Sequence, residues 1–183
     1  MGEVKRQTFA ILVDNEAGVL SQVSHLFSRK GYNIDSISAG ITDRPEITRI
    51  TIEVLTDDDH ALFISNQLRK LIHVHSVKWI AQDKALRREL AFFKVKAENS
   101  EIRNGIIQVA NIFRANILDV AVGSMTLSMI GDEDKIQAFQ NILAEYEVLE
   151  IVRAGIVAIE RGPETIYDDT KEKGEFNYGK NVL

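Results

Sequence analysis

One order of elements occurs twice along these 183 residues, and it constrains the fold more than any single motif. Residues 8–13 are apolar almost throughout, as in a strand buried on both faces. Val19, Leu20, Val23, Leu26 and Phe27 then form one apolar helical stripe, which Gly31 ends after Arg29 and Lys30. Residues 33–42 read as a strand with a bulge near Ser36. Pro45 marks a turn at residues 43–46. Residues 47–55 alternate cleanly, with Ile50, Ile52 and Val54 facing one way and Arg49, Thr51 and Glu53 forming the exposed set. Asp57 to Asp59 offer N-caps for a helix over about 58–71, striped by Ile64, Leu68 and Leu71. Residues 74–80 read as a short closing strand.

After a polar, charged stretch at 82–88 the same order returns. Residues 89–97 are a strand, Ser100 reads as an N-cap, and Ile102, Ile106, Val109, Ala110 and Phe113 stripe a helix. Strands at 116–122 and 125–130 meet around Gly123 and Ser124. Asp132 opens a helix carrying Ile136, Phe139, Ile142, Leu143 and Tyr146, and 148–159 is the last strand. Strand, helix, strand, strand, helix, strand is the split βαβ plan, so the fold class is α+β: two tandem ferredoxin-like βαββαβ domains. The expected division is a first domain at 1–81, a linker at 82–88, a second domain at 89–162 and a flexible polar tail at 163–183. Each sheet buries one face under two helices and leaves the other face and its edges to be covered, by the other domain or by a second chain. A homodimer is expected.

Composition narrows the function. With 45% apolar and 27% charged residues a packed core is expected. Zero cysteines exclude disulfides, thiolate zinc sites, iron–sulfur clusters and a thiol nucleophile. A net charge of -5 provides no basic face for nucleic acid. No apolar run spans a membrane and residues 1–7 lack a signal-peptide core, so the expected location is cytoplasmic.

Candidate chemistry is sparse. His73 and His75 lie two apart on one strand, a spacing that suits a metal, yet no third ligand is suggested nearby and a solvated strand end is favoured. Asp57 to Asp59 directly precede a helix and read as caps rather than a Mg²⁺ cluster. Residues 131–135 lack the second glycine and the Lys-Ser/Thr pair of a phosphate loop. No esterase or metalloprotease motif is present. RNA-recognition domains share the βαββαβ order but place stacking aromatics on their central strands, and residues 48–55 hold none. Neither a catalytic nor a metal site is expected.

The remaining feature is the stretch 15–33, a polar turn leading into the first helix and out through Gly31, Tyr32 and Asn33. Backbone N–H groups of a first helical turn attract an anion, and Gly18 lets a ligand come close. Two amides, Asn15 and Asn33, beside such a terminus suit a zwitterion: N–H groups for its carboxylate and amide oxygens for its ammonium.

At these residues, Asn15-Glu16-Ala17-Gly18-Val19-Leu20 followed by Gly31-Tyr32-Asn33-Ile34, the sequence resembles the ACT domain, a ligand-sensing ferredoxin-like module. Leu26 to Ile34, Ile112-Phe113-Arg114-Ala115 and Val152-Arg153-Ala154-Gly155 extend the match, so that the chain to about Gly162 resembles the regulatory (small) subunit of acetohydroxyacid synthase, or acetolactate synthase. The resemblance implies a non-catalytic subunit that activates the thiamine-diphosphate-dependent catalytic large subunit. It also implies feedback inhibition by valine in branched-chain amino-acid biosynthesis. No cofactor is then expected in this chain, while thiamine diphosphate, Mg²⁺ and FAD belong to the catalytic partner. The effector would sit between two ACT domains of a homodimer. Asn15, Ala17, Gly18, Val19 and Leu20 would come from one chain, and Asn33 and Ile34 from the other. Val13 and Ile34 would line a pocket that leucine or isoleucine could also enter. The alternative is a free-standing ACT-type sensor of some other enzyme. Against it stands the second domain, whose equivalent turn, Asn99-Ser100-Glu101, lacks the glycine.

Overall fold

The computed structural model describes residues 3–169. The elements are β1 (Lys5–Asp14), α1 (Val19–Arg29), β2 (Ser36–Ile41), β3 (Ile47–Thr56), α2 (Asp58–Arg69), β4 (Val74–Ile80), β5 (Ala85–Ala97), α3 (Ser100–Phe113), β6 (Asn116–Ala121), β7 (Gly123–Gly131), α4 (Glu133–Leu143) and β8 (Val148–Glu160), followed by a 3-10 turn, Ile166–Asp169. The repeated order read from the sequence is therefore present in full, as two four-stranded sheets ordered β2-β3-β1-β4 and β6-β7-β5-β8.

The chain divides into two compact units, one from the start to Leu86 together with the chain from Ile156, the other Arg87–Gly155. This differs from a division at 82–88 with a second domain ending at 162. The last five residues of β8, from Ile156 to Glu160, belong to the first unit. The change falls at Gly155, whose φ of 79° lies in the left-handed region that an L-side chain disfavours inside a strand.

In the first unit, β1 is central and antiparallel to both β3 and β4. Its alternate residues serve two cores. Phe9, Ile11 and Val13 pack with Val23, Phe27, Ile64 and Leu68 of the helices. Ala10 and Leu12 point the other way and pack with Ile47, Ile80, Ala158 and Ile166. The second core corrects two expectations. Thr51 and Glu53, taken as exposed, are 2% and 0% exposed, because the chain after Gly155 covers that sheet face. The tail expected to be flexible from 163 is docked over residues 165–168: Ile166 is buried, and its carbonyl accepts from Ser76 Oγ at 2.7 Å. Ile166 and the half-buried Tyr167 pack against the second core from among polar neighbours, a pair too sparse for composition to register. Residues 170–183 lie outside the described residues.

The second unit has one core, on the helix side of its sheet. Ala91, Phe93, Val95, Met125, Leu127 and Met129 meet Ile106, Ala110, Ile136, Phe139 and Leu143. Phe139 packs edge-on against Phe93, with centroids 5.1 Å apart. Glu89 of β5, 3% exposed, is held by the Arg153 guanidinium of β8, with Nε 3.1 Å from each carboxylate oxygen. The bulge expected near Ser36 is absent, since β2 and β3 pair without a register shift. Shifts occur instead at Leu12/Val13 and at Ile117/Asp119.

Candidate functional site

Three of the four helices begin in the same way. Asp57 accepts from the His60 N–H before α2, Asn99 from Ile102 before α3, and Asp132 from Lys135 before α4. Each also has an acidic residue in its first turn. The cap of α3 is thus Asn99 rather than Ser100. At the head of α1 the cap is Gly18, at φ 90° and ψ -15°, with no side-chain hydrogen bond and no acid in the first turn. Among the described residues α1 is the one α-helix whose positive dipole end is left without an intrachain carboxylate or amide. Gly18 also faces open space, with nothing within 4 Å of a hypothetical Cβ.

Asn15 stands at the exit of β1, its side chain fixed by the β2–β3 turn. Its Nδ2 donates to the Pro45 carbonyl at 2.9 Å, its Oδ1 accepts from Thr48 Oγ1 at 3.0 Å, and its backbone N–H donates to the Glu46 carbonyl at 2.7 Å. One N–H and one lone pair of the amide remain for a ligand. Thr48, Pro45 and Glu46 hold this candidate site residue in place, and sequence reasoning missed them. The Pro45 turn was visible, but no sequence pattern connects it to Asn15, 30 residues away.

Ala17 and Leu20 are exposed beside Gly18. Val19 is 3% exposed and packs into the core, so it offers the site its backbone alone. Val13, expected to line the pocket, is 1% exposed and is likewise a core residue. Asn33 and Ile34 lie between α1 and β2; Asn33 is exposed, with Nδ2 3.2 Å from Asp35 Oδ1, and Ile34 is half-buried against the core. β2 is the outer strand, separated from β1 by β3, so Asn33 does not begin a strand next to the Asn15 turn. Its side of β2 is a free edge, and Ile37 and Ile41 are exposed along it.

Next to Asn15, Asp14 receives two rings: His75 Nε2 lies 2.5 Å from Oδ1 and His73 Nδ1 lies 2.9 Å from Oδ2. The hydrogen bond from His75, reinforced by His73, holds the Asp14 carboxyl below its ordinary range, against an opposing effect of burial. Among the described residues no group of three or more histidines or acids is arranged to hold a metal ion. The His73/His75 pair instead fixes the end of β1, where the Asp14 N–H also donates to the His73 carbonyl at 2.9 Å.

Comparison with known proteins gives the family and the fold. Residues 9–76 match the model of an "AHAS small subunit-like ACT domain", and residues 88–162 match that of the "Small subunit of acetolactate synthase". The acetolactate synthase small subunit of Mycolicibacterium smegmatis is 39% identical over 87% of this chain and 93% of its own length. The chain belongs to the acetolactate synthase small subunit family. The probable small subunit of Archaeoglobus fulgidus is 41% identical over 86% of this chain and 98% of its own length. The crystal structure of the Thermotoga maritima small subunit superposes with a TM-score of 0.81 at 35% identity, covering 87% of this chain and 99% of that one. Family membership accounts for the α+β architecture and for an ACT domain in the first unit. It also places the open terminus of α1 within the matched ACT segment. No described helix is long and apolar enough to cross a membrane.

Proposed function

We propose that this chain is the non-catalytic regulatory subunit of a cytoplasmic acetolactate synthase, which raises the activity of the catalytic large subunit and confers feedback inhibition by valine. Thiamine diphosphate, Mg²⁺ and FAD belong to the partner's chemistry. The observation that carries the effector assignment is the uncapped N-terminus of α1 behind Gly18, beside an amide that the β2–β3 turn holds in place.

The effector carboxylate accepts from the first-turn N–H groups of α1, where the helix dipole favours negative charge. The ammonium needs acceptors, and the free lone pair of Asn15 Oδ1 is one. Asn33 and Ile34 come from a second copy, because β3 separates their strand from the turn within one chain. Pairing along the free edge of β2 makes the homodimer part of the site. Exposed Leu20 and half-buried Ile34 supply apolar surface for the isopropyl group. Its burial contributes roughly 1.5 to 3 kcal/mol, enough to shift a dimer equilibrium tenfold or more if one arrangement alone forms the pocket.

A capped α3 supports the regulatory-subunit reading over a free-standing pair of sensors, since the second unit has no equivalent open turn. The test is reconstitution. Adding the chain to an acetolactate synthase catalytic subunit should raise acetolactate formation, and valine should reverse the gain. No complex on gel filtration and no change in rate would defeat the reading.

A further inference from the structure

The β2–β3 turn is held from two sides. Toward the helix end it grips Asn15 through the Pro45 and Glu46 carbonyls and the Thr48 hydroxyl. From the other side it is gripped by the segment that follows β8. Tyr167 donates its hydroxyl to Asp43 Oδ1 at 3.3 Å, and the Arg44 guanidinium lies 5.4 Å from the centre of the Tyr167 ring. Neither contact would be firm on a loose segment. Here the segment is anchored: Ile166 is buried and bonded to Ser76, Lys78 Nζ donates to the Thr165 carbonyl at 3.3 Å, and Asp168 Oδ2 accepts from both the N–H and the hydroxyl of Thr165. The turn is also stiff. Thr42 Oγ1 donates to the Arg44 carbonyl and accepts from the Arg44 N–H, each at 3.1 Å. At its base the Thr42 N–H donates to the Ile47 carbonyl and the Ile47 N–H to the Arg44 carbonyl, each at 2.9 Å. A rigid turn fastened at both ends transmits its position and does not absorb it.

We propose that Thr48 and Tyr167 are positioning residues of the effector site: Thr48 orients the Asn15 amide, and Tyr167 sets the turn that carries the carbonyls to which Asn15 is tied. The proposal rests on reading residues 15–18 as an amino-acid site. Tyr167 lies beyond the segments matched by the family models, the second of which ends at residue 162. The Asn15 amide can present its remaining lone pair in one direction while two hydrogen bonds hold it and the backbone N–H fixes its root, and it loses that direction when one is removed.

Thr48→Val removes the donor and keeps the shape, Thr48→Ser keeps the donor, and Tyr167→Ala removes both contacts to the turn. Calorimetric titration of the full chain with valine should show roughly fivefold weaker binding for Thr48→Val, the worth of one hydrogen bond. Thr48→Ser should bind as the unmodified chain does, Tyr167→Ala about threefold more weakly, and the double variant should be non-additive. In parallel, the Asn15 side-chain amide resonance in an NMR spectrum should move in Thr48→Val and Tyr167→Ala and stay in place in Thr48→Ser, which general destabilisation would not reproduce. If the unmodified chain binds valine and both variants bind it equally well, the positioning role is overturned. If the unmodified chain binds no valine, the effector reading fails, and the Asn15 resonance decides the positioning role by itself: displaced in both variants it stands, unmoved it falls.

Discussion

Thr48 donates its hydroxyl to the side-chain carbonyl of Asn15 at 3.0 Å, across 33 residues of sequence. Together with the bond from Asn15 Nδ2 to the Pro45 carbonyl, it makes an exposed asparagine an oriented amide. It also shows that the loop before α1 is built by two parts of the chain. The family signature at residues 15–18 therefore describes half of a local structure whose other half is the β2–β3 turn.

Gly18 is predicted to be irreplaceable on two counts. Its φ of 90° is strained for any L-side chain, so Gly18→Ala should lower stability by about 1 to 2 kcal/mol. Gly18→Asp adds a carboxylate where the effector carboxylate is to bind. In the reconstituted enzyme, that variant should still activate the catalytic subunit and should have lost its response to valine. Full valine sensitivity in the assay would remove this turn from consideration.

Arg153 belongs to the signature run at 152–155, and its role in the structure is to neutralise Glu89. Removing it strands a carboxylate that is 3% exposed. Loss of a partner from a fully buried pair costs about 3 to 5 kcal/mol, and the partial exposure of Arg153 reduces this to about 2 kcal/mol. Arg153→Ala should destabilise the chain by that amount in urea unfolding at neutral pH. The double change Arg153→Met with Glu89→Leu should recover most of it.

Gly105 lies in the interior of α3, where alanine ordinarily gains about 1 kcal/mol. Here a Cβ would stand 2.5 Å from the Tyr146 hydroxyl and 3.3 Å from Cζ. Gly105→Ala is predicted to be destabilising, because Tyr146 must leave its place. Adding Tyr146→Phe removes the closest atom, so the double variant should be more stable than Gly105→Ala in thermal melts. Equal melting temperatures would show that Tyr146 moves freely.

Asp57 titrates with folding. The His60 N–H, followed by the His60 ring, holds its carboxyl below the usual value. A depressed folded value means that the cap contributes in full above the unfolded carboxylate range, near pH 4, and fades as pH falls through the folded value. Asn caps equally well and does not titrate. Between pH 7 and pH 3 the parent should lose more stability than Asp57→Asn, as read by denaturant midpoints. Parallel loss in the two proteins would contradict the assignment.

What the sequence determined was local and periodic. The two βαββαβ repeats, the Asp57 and Asp132 caps and most of the stripes of α1 to α4 follow from spacing, since a helix or strand selects its buried face residue by residue. Of the expected stripe members Leu20 and Ile142 are exposed, and Leu71 and Tyr146 lie past the ends of α2 and α4. The turn at Asn15 and Gly18 was legible from its polar residues and glycine ahead of the α1 stripe, and the family from the resemblance of residues 15–20 and 31–34 to the ACT signature. Tertiary structure decided everything that depends on which segments meet. Glu53 and Thr51 alternate like surface residues and are buried because the chain after Gly155 covers them. Ile166 gave no periodic signal, yet it anchors a segment that composition marked as flexible. Val13 and Val19 stood beside the candidate site in sequence and belong to the core in space. The sequence placed Asn15 at the head of α1, and only folding brought Thr48 and Pro45 to hold it, because hydrogen bonds across 30 or more residues leave no periodic trace in a chain.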